Sequence, residues 1–148
     1  MKKKGIGIFG IVVVLGLMGG IVLATAESIG AQERCFPIYI RSHAGIEPDT
    51  LNVNKGDCVV WINWARGEDA QVIFREGKKC SDMTKAPIRF KPDFSGCYLT
   101  DFLGFGETAS LVFAETGRFD YEVEFKTVGG LYGAGGGTTK KLGSIIVK

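Results

Sequence analysis

The 148-residue chain possesses a single histidine, His43. One imidazole cannot supply a two- or three-histidine zinc or copper site, which excludes most metalloenzyme arrangements. Nucleophilic catalysis would have to run through His43, or through a cysteine or lysine of shifted pKa. No nucleophile, base and orienting group can be assembled that way, so no enzyme is expected. Proline is scarce too, at 4 residues, and no run of five like charges occurs. A stiff linker and a basic nucleic-acid-binding tail are thereby excluded. With 45% hydrophobic residues the chain is too apolar for disorder, and its length suits one domain plus an additional segment.

Charge assigns that segment. The formal net charge of +2 comes from 18 basic and 16 acidic residues, and Lys2, Lys3 and Lys4 lie in a stretch, residues 1–26, that holds no acid. Without it the balance is 15 basic against 16 acidic groups, and nothing electrostatic favours nucleic acid. Residues 5–23 are uncharged and apolar, and Ala24-Thr25-Ala26 follows them. A positive cluster, an apolar run and small residues in that order read as a signal peptide cleaved after Ala26. An uncleaved anchor is the alternative, because the run nearly reaches the ~20 residues that cross a bilayer. The expected division is therefore leader 1–26, linker 27–35 and domain 36–148, with the domain periplasmic or secreted and membrane-associated only if the leader is retained.

In an oxidising compartment four cysteines favour disulfides. Cys80 with Cys97 is the preferred pair, because these residues bracket a polar stretch with little core of its own. Cys35 with Cys58 is the remainder.

Within the domain, Phe119, Tyr121, Val123 and Phe125 alternate with Asp120, Glu122, Glu124 and Lys126, the period-two pattern of a half-buried strand. The run Asp57 to Asn63 carries apolar groups on both faces, with Cys58, Val60 and Ile62 on one and Val59 and Trp61 on the other. Further β-rich runs occupy 36–41, 50–54, 71–75, 108–113 and 144–147, between turn signals such as Lys55-Gly56 and Thr116-Gly117. The segment from Arg75 to about Tyr98 is polar, contains Pro87 and Pro92, and reads as irregular with one helical turn. About seven short strands and no long helix beyond the leader point to an all-β, antiparallel-rich Greek-key sandwich. The glycine-rich stretch 129–137 lacks the helix and Lys-Ser/Thr of a phosphate-binding loop and reads as a plain connection between the last two strands.

The order of these pieces resembles the cupredoxins, exported copper β-sandwiches that include plastocyanin-like proteins and the copper domain of cytochrome oxidase subunit II. The resemblance spans about residues 36–148. It runs through Ile46-Glu47-Pro48, Leu51-Asn52-Val53, Gly56-Asp57-Cys58-Val59-Val60-Trp61-Ile62-Asn63, Val72-Ile73-Phe74, Leu111-Val112-Phe113, Gly117-Arg118-Phe119-Asp120-Tyr121 and Gly143-Ser144-Ile145-Ile146-Val147. It implies the fold and, in its ordinary members, a type 1 copper site of two histidines, a cysteine and a weak methionine. At the matching positions this chain has Ala70 for the first histidine, Val123 for the cysteine, Glu124 to Thr127 for the second histidine and Lys141 for the methionine. Residues 98–148 contain no Cys, His or Met at all. The expectation is an envelope binding or structural module without a standard copper centre or other cofactor. Its partner would be an unidentified envelope protein, which family analogy places near a respiratory or electron-transfer assembly.

The alternative is a periplasmic electron-transfer or copper-binding protein in which His43, Cys80, Met83 and Cys97 converge on a nonstandard site. Otherwise His43 is a turn residue and Met83 packs beneath the long loop. Trp61, Trp64 and Phe74 are expected in the core, as aromatics in short strands usually are, the alternative being a stacking surface. Phe102, Leu103 and Phe105, set among glycines, form either an exposed partner surface or a plug at the end of the sandwich.

Overall fold

The computed structural model describes residues 34–42, 44–75, 82–94, 97–127 and 139–148. The expected leader, His43, Cys80 and the glycine-rich stretch lie outside the described residues.

Eleven strands are present among them: β1 (Cys35–Arg41), β2 (Gly45–Glu47), β3 (Thr50–Val53), β4 (Cys58–Asn63), β5 (Glu68–Phe74), β6 (Thr84–Ile88), β7 (Phe90–Pro92), β8 (Tyr98–Thr100), β9 (Thr108–Phe113), β10 (Gly117–Thr127) and β11 (Thr139–Val147). They form a five-stranded sheet in the order β2-β1-β4-β9-β6 and a six-stranded sheet in the order β3-β11-β10-β5-β8-β7. The expected all-β sandwich is therefore present. Pairing is mostly antiparallel, with β1–β4 and β3–β11 parallel. The chain changes sheet repeatedly, so both inner faces draw on the whole sequence.

Period-two patterning explains the long strands. Phe119, Tyr121, Val123 and Phe125 of β10 are buried while Arg118, Asp120 and Lys126 are exposed. On β4 the inner face consists of Val59, Trp61 and Asn63, and Val60 and Ile62 are only half-buried on the other side. Trp61 sits at the centre of the core. Its ring meets Phe74, Phe90 and Tyr121 edge-on at centroid distances of 5.7, 5.2 and 5.5 Å, the arrangement that aromatic quadrupoles favour.

The stretch from Arg75 to Tyr98 departs from expectation. Among its described residues it contains β6 and β7 and leads into β8, with helical geometry only at Asp82 and Met83. Strand β6 pairs with β9 through a register shift between Lys85 and Ile88, and Ala86 and Arg89 have φ of 47° and 60°. Pro87 lies inside that irregularity on an edge strand, where a missing N–H is tolerated.

Candidate functional site

The resemblance draws attention to the positions where metal ligands would stand. Ala70 and Val123 are fully buried, and each is held in a regular ladder: Phe125 pairs with Ala70, and Val123 pairs with Val72 on one side and Lys141 on the other. The residues from Glu124 to Thr127 continue β10, paired against β5 throughout that run, and do not form a loop there. Lys141 is exposed. A methyl and an isopropyl group offer no lone pair, so these side chains do not fit a copper ion. Among the described residues, no three or more His, Cys, Asp or Glu gather as a metal-binding group.

The chain itself covers Ala70. Leu103 forms a two-way backbone bridge to it, with Ala70 N donating to Leu103 O at 3.0 Å and Leu103 N donating to Ala70 O at 2.7 Å. The Leu103 side chain is fully buried, whereas Phe102 and Phe105 are 39% and 48% exposed. The three-residue apolar cluster expected from the sequence is therefore divided. Leu103 is a plug and is no part of a partner surface; only the two phenylalanines face outward.

Asn63, fully buried at the end of β4, holds this region together. Its Nδ2 donates to Glu68 O at 3.0 Å and to Leu103 O at 2.7 Å, and its Oδ1 accepts from Ala65 N at 2.8 Å. Its backbone carbonyl accepts from Gly106 N at 2.7 Å, and its N–H donates to Glu107 O at 3.0 Å. One side chain thus ties the β4–β5 connection to the β8–β9 connection. Glu107 closes the second connection, accepting from Arg89 Nη2 at 2.7 Å and from Gly104 N at 2.8 Å. The Arg89 hydrogen bond, followed by that of Gly104, lowers the Glu107 carboxyl to about 2.

These tied loops present the exposed rings. Trp64, 47% exposed, meets Phe105 edge-on at 5.3 Å, and the Arg66 guanidinium lies over Phe105 at 5.7 Å. Nearby on β1, the Arg41 guanidinium lies over Tyr39 at 5.6 Å and pairs with Glu47 at 3.0 Å. Together Tyr39, Arg41, Ser42, Ala44, Trp64, Arg66 and Phe105 line an open cleft of about 700 Å³. On the other side of the tip, Lys126 Nζ lies 5.6 Å from the Phe102 ring.

The remaining candidate residues do not converge here. Cys35 and Cys58 form a disulfide, which joins β1 to β4 at the first pair of their parallel ladder. Cys97 is buried, and its N–H donates to Asp93 Oδ1 at 2.9 Å. Its expected pairing with Cys80, and its convergence with His43 in a metal site, fall outside the described residues. Met83 packs half-buried against the core, and its methyl group is near Gly117. Tyr39, Arg41 and Asn63 were not singled out by sequence reasoning. The alternation along β1 exposes Arg41, and a lone asparagine closing an apolar strand beside Trp61 was the available signal for Asn63.

No protein-family model and no curated protein matches the chain. Among solved structures it is similar to amicyanin. For a reduced tryptophan-to-tyrosine variant the identity is 17%, the TM-score 0.48, and the match covers 77% of this chain and 82% of that chain. For a Cu(I) methionine-to-glutamine variant the TM-score is 0.46 at the same identity and coverage. The reduced Cu(I) form of a proline-to-glycine variant gives 17% identity and a TM-score of 0.46, with 82% of this chain and 87% of that chain covered.

Proposed function

We propose that this domain is an exported, non-enzymatic binding or structural module of the cell envelope, built on a cupredoxin-like sandwich but without a type 1 copper centre. One observation carries the reading: the positions that the resemblance assigns to the first histidine and the cysteine are Ala70 and Val123, hydrocarbon side chains buried in continuous β-ladder. The apolar leader and the Cys35–Cys58 disulfide support export, since disulfides persist in oxidising compartments. The exposed rings at the tied end of the sandwich support binding, and the partner is an envelope component.

Elemental analysis tests this on protein made from the full chain in copper-replete cells and purified without reductant. Near-zero copper per chain is the expected result. About one copper per chain, lost on Cys97→Ser or Cys80→Ser, overturns the reading in favour of a relocated redox site.

A further inference from the structure

We infer that the cleft between β1 and the tied loops is a binding site for an acidic saccharide, a chain of sugar rings bearing carboxylates. The inference deepens the module reading above and rests on it.

The lining has three relevant properties. Its volume of about 700 Å³ lies inside the ~300–1,000 Å³ of ordinary ligand sites, and it is open, as an extended polymer segment needs. Its apolar surface is aromatic: Trp64 and Phe105 stand nearly perpendicular, at 79°, so two ring surfaces meet at an angle, and Tyr39 supplies a third. The C–H face of a pyranose ring packs on such surfaces while its hydroxyls stay at the rim. Two guanidiniums, Arg41 and Arg66, stand in the lining and no carboxylate does among the described residues; Glu47 offsets Arg41, so the net positive charge rests on Arg66.

The two guanidiniums differ in a useful way. Arg41 is already paired with Glu47, whereas Arg66 makes no ion pair among the described residues. Resting over Phe105, Arg66 is pre-positioned with a fork of free donors, which suits bidentate capture of a carboxylate. The domain as a whole carries one more acid than base beyond residue 26, so this positive cleft is a local feature and not the edge of a general basic surface. An acidic peptide would also meet the charge, but strand addition needs an unpaired edge. Where it lines the cleft, β1 is paired with β2 from Tyr39 to Arg41 and with β4 through Ile40, so the lining offers side chains and no free strand edge.

The test uses tetragalacturonate as probe, with cellotetraose as its neutral counterpart and tetraglutamate as the acidic peptide, all by calorimetry on protein from the full chain. Tryptophan emission gives a second readout, because Trp64 is exposed while Trp61 is buried. Tetragalacturonate should bind at least about tenfold more tightly than either control, weaken with salt and perturb the emission. Arg66→Gln should remove about tenfold and abolish the preference over cellotetraose, and Trp64→Ala should remove at least tenfold. Both residues are surface groups, and an unchanged near-ultraviolet circular dichroism spectrum verifies the fold. Three results overturn the inference: tetraglutamate binding as tightly as the saccharide, no binding of tetragalacturonate at millimolar concentration, or binding that survives both substitutions. Copper content is measured independently on the same preparation. A copper-free protein that ignores tetragalacturonate therefore sinks the ligand and leaves the module, whereas a copper-loaded one sinks the module.

Discussion

Gly143→Ala should destabilise this domain by about 3 kcal/mol, although an alanine in a strand ordinarily improves on glycine by roughly 0.5–1 kcal/mol. The Gly143 backbone lies outside the left-handed region, so its conformation does not oppose a side chain. The obstacle is Tyr121, its partner in the β10–β11 ladder, whose ring leans across the glycine. A Cβ on residue 143 would overlap Cζ and the hydroxyl oxygen of Tyr121 and lie 2.8 Å from Cε1. On its core side the ring is blocked, since Trp61 and Phe74 both stand 5.5 Å from it and its side chain is buried. Overpacking of a core costs about 1–3 kcal/mol, and overlap of several atoms on a boxed ring places this case at the upper end. For a domain of this size that corresponds to a melting point lower by about 12 °C. Urea unfolding with an unchanged slope gives the free energy directly. In a Tyr121→Leu background the same substitution should be neutral or stabilising, which isolates the ring as the cause. A Gly143→Ala protein as stable as the parent would refute the reasoning.

Three further outcomes are expected. Cys35→Ser should lower stability by about 3 kcal/mol in the unfolding free energy, because the disulfide closes a loop across a sequence separation of 23 residues; an unchanged urea midpoint would contradict this. Glu107 is held at about 2 against an ordinary 4.5, so its contribution is fully present above 4.5 and fades as pH falls toward 2. Between those pH values Glu107→Gln should show a shallower loss of stability than the parent, and superimposable pH profiles would count against the Arg89 and Gly104 hydrogen bonds as its source. Asn63→Leu should cost about 3 kcal/mol or more, because the carbonyls of Glu68 and Leu103 and the Ala65 N–H lose their partner in a buried place. The same variant should accelerate amide exchange of Leu103 and Gly106, and protection equal to the parent there would show that Asn63 does not tie the loops.

Legibility in the sequence followed periodicity and length. β10 and β9 are long enough for alternation to declare itself, and the apolar run of β4 revealed a strand with groups on both faces. β2, β7 and β8 have three residues each, fewer than two periods of any pattern. β6 conceals itself differently: Pro87 and the left-handed backbone at Ala86 and Arg89 interrupt the alternation that would have marked it. Phe90 and Tyr98, both buried, were the apolar anchors within that polar stretch. At the site, Gly104 and Gly106 set among Phe102, Leu103 and Phe105 were the visible signal of a turn. The inward turn of Leu103 is set by hydrogen bonds to Ala70, more than thirty residues away, and no local pattern records it. Tyr39 and Trp64 come together for the same kind of reason, since Trp64 N donates to Ile40 O at 2.8 Å and so brings the β4–β5 connection beside β1.

The end of the sandwich near Ala70 is held together by three side chains of this chain. Leu103 as the plug, Asn63 as the buried hydrogen-bonding centre and Glu107 as the clasp on the β8–β9 connection fix the loops there. Leu103 and Asn63 act from beneath, Glu107 acts at the surface with Arg89, and none of the three lines the cleft. Trp64 and Phe105 are thereby carried on backbone that is already ordered, and a ligand settling on them has little loop entropy to remove. Loosening Asn63 or Glu107 should weaken ligand binding without altering any group the ligand touches. Glu107→Gln at neutral pH, which leaves the buried hydrogen bonds of Asn63 in place, is the variant on which the tetragalacturonate affinity should be read. An affinity equal to the parent's would mean that the rings are held by their own packing and not by the clasp.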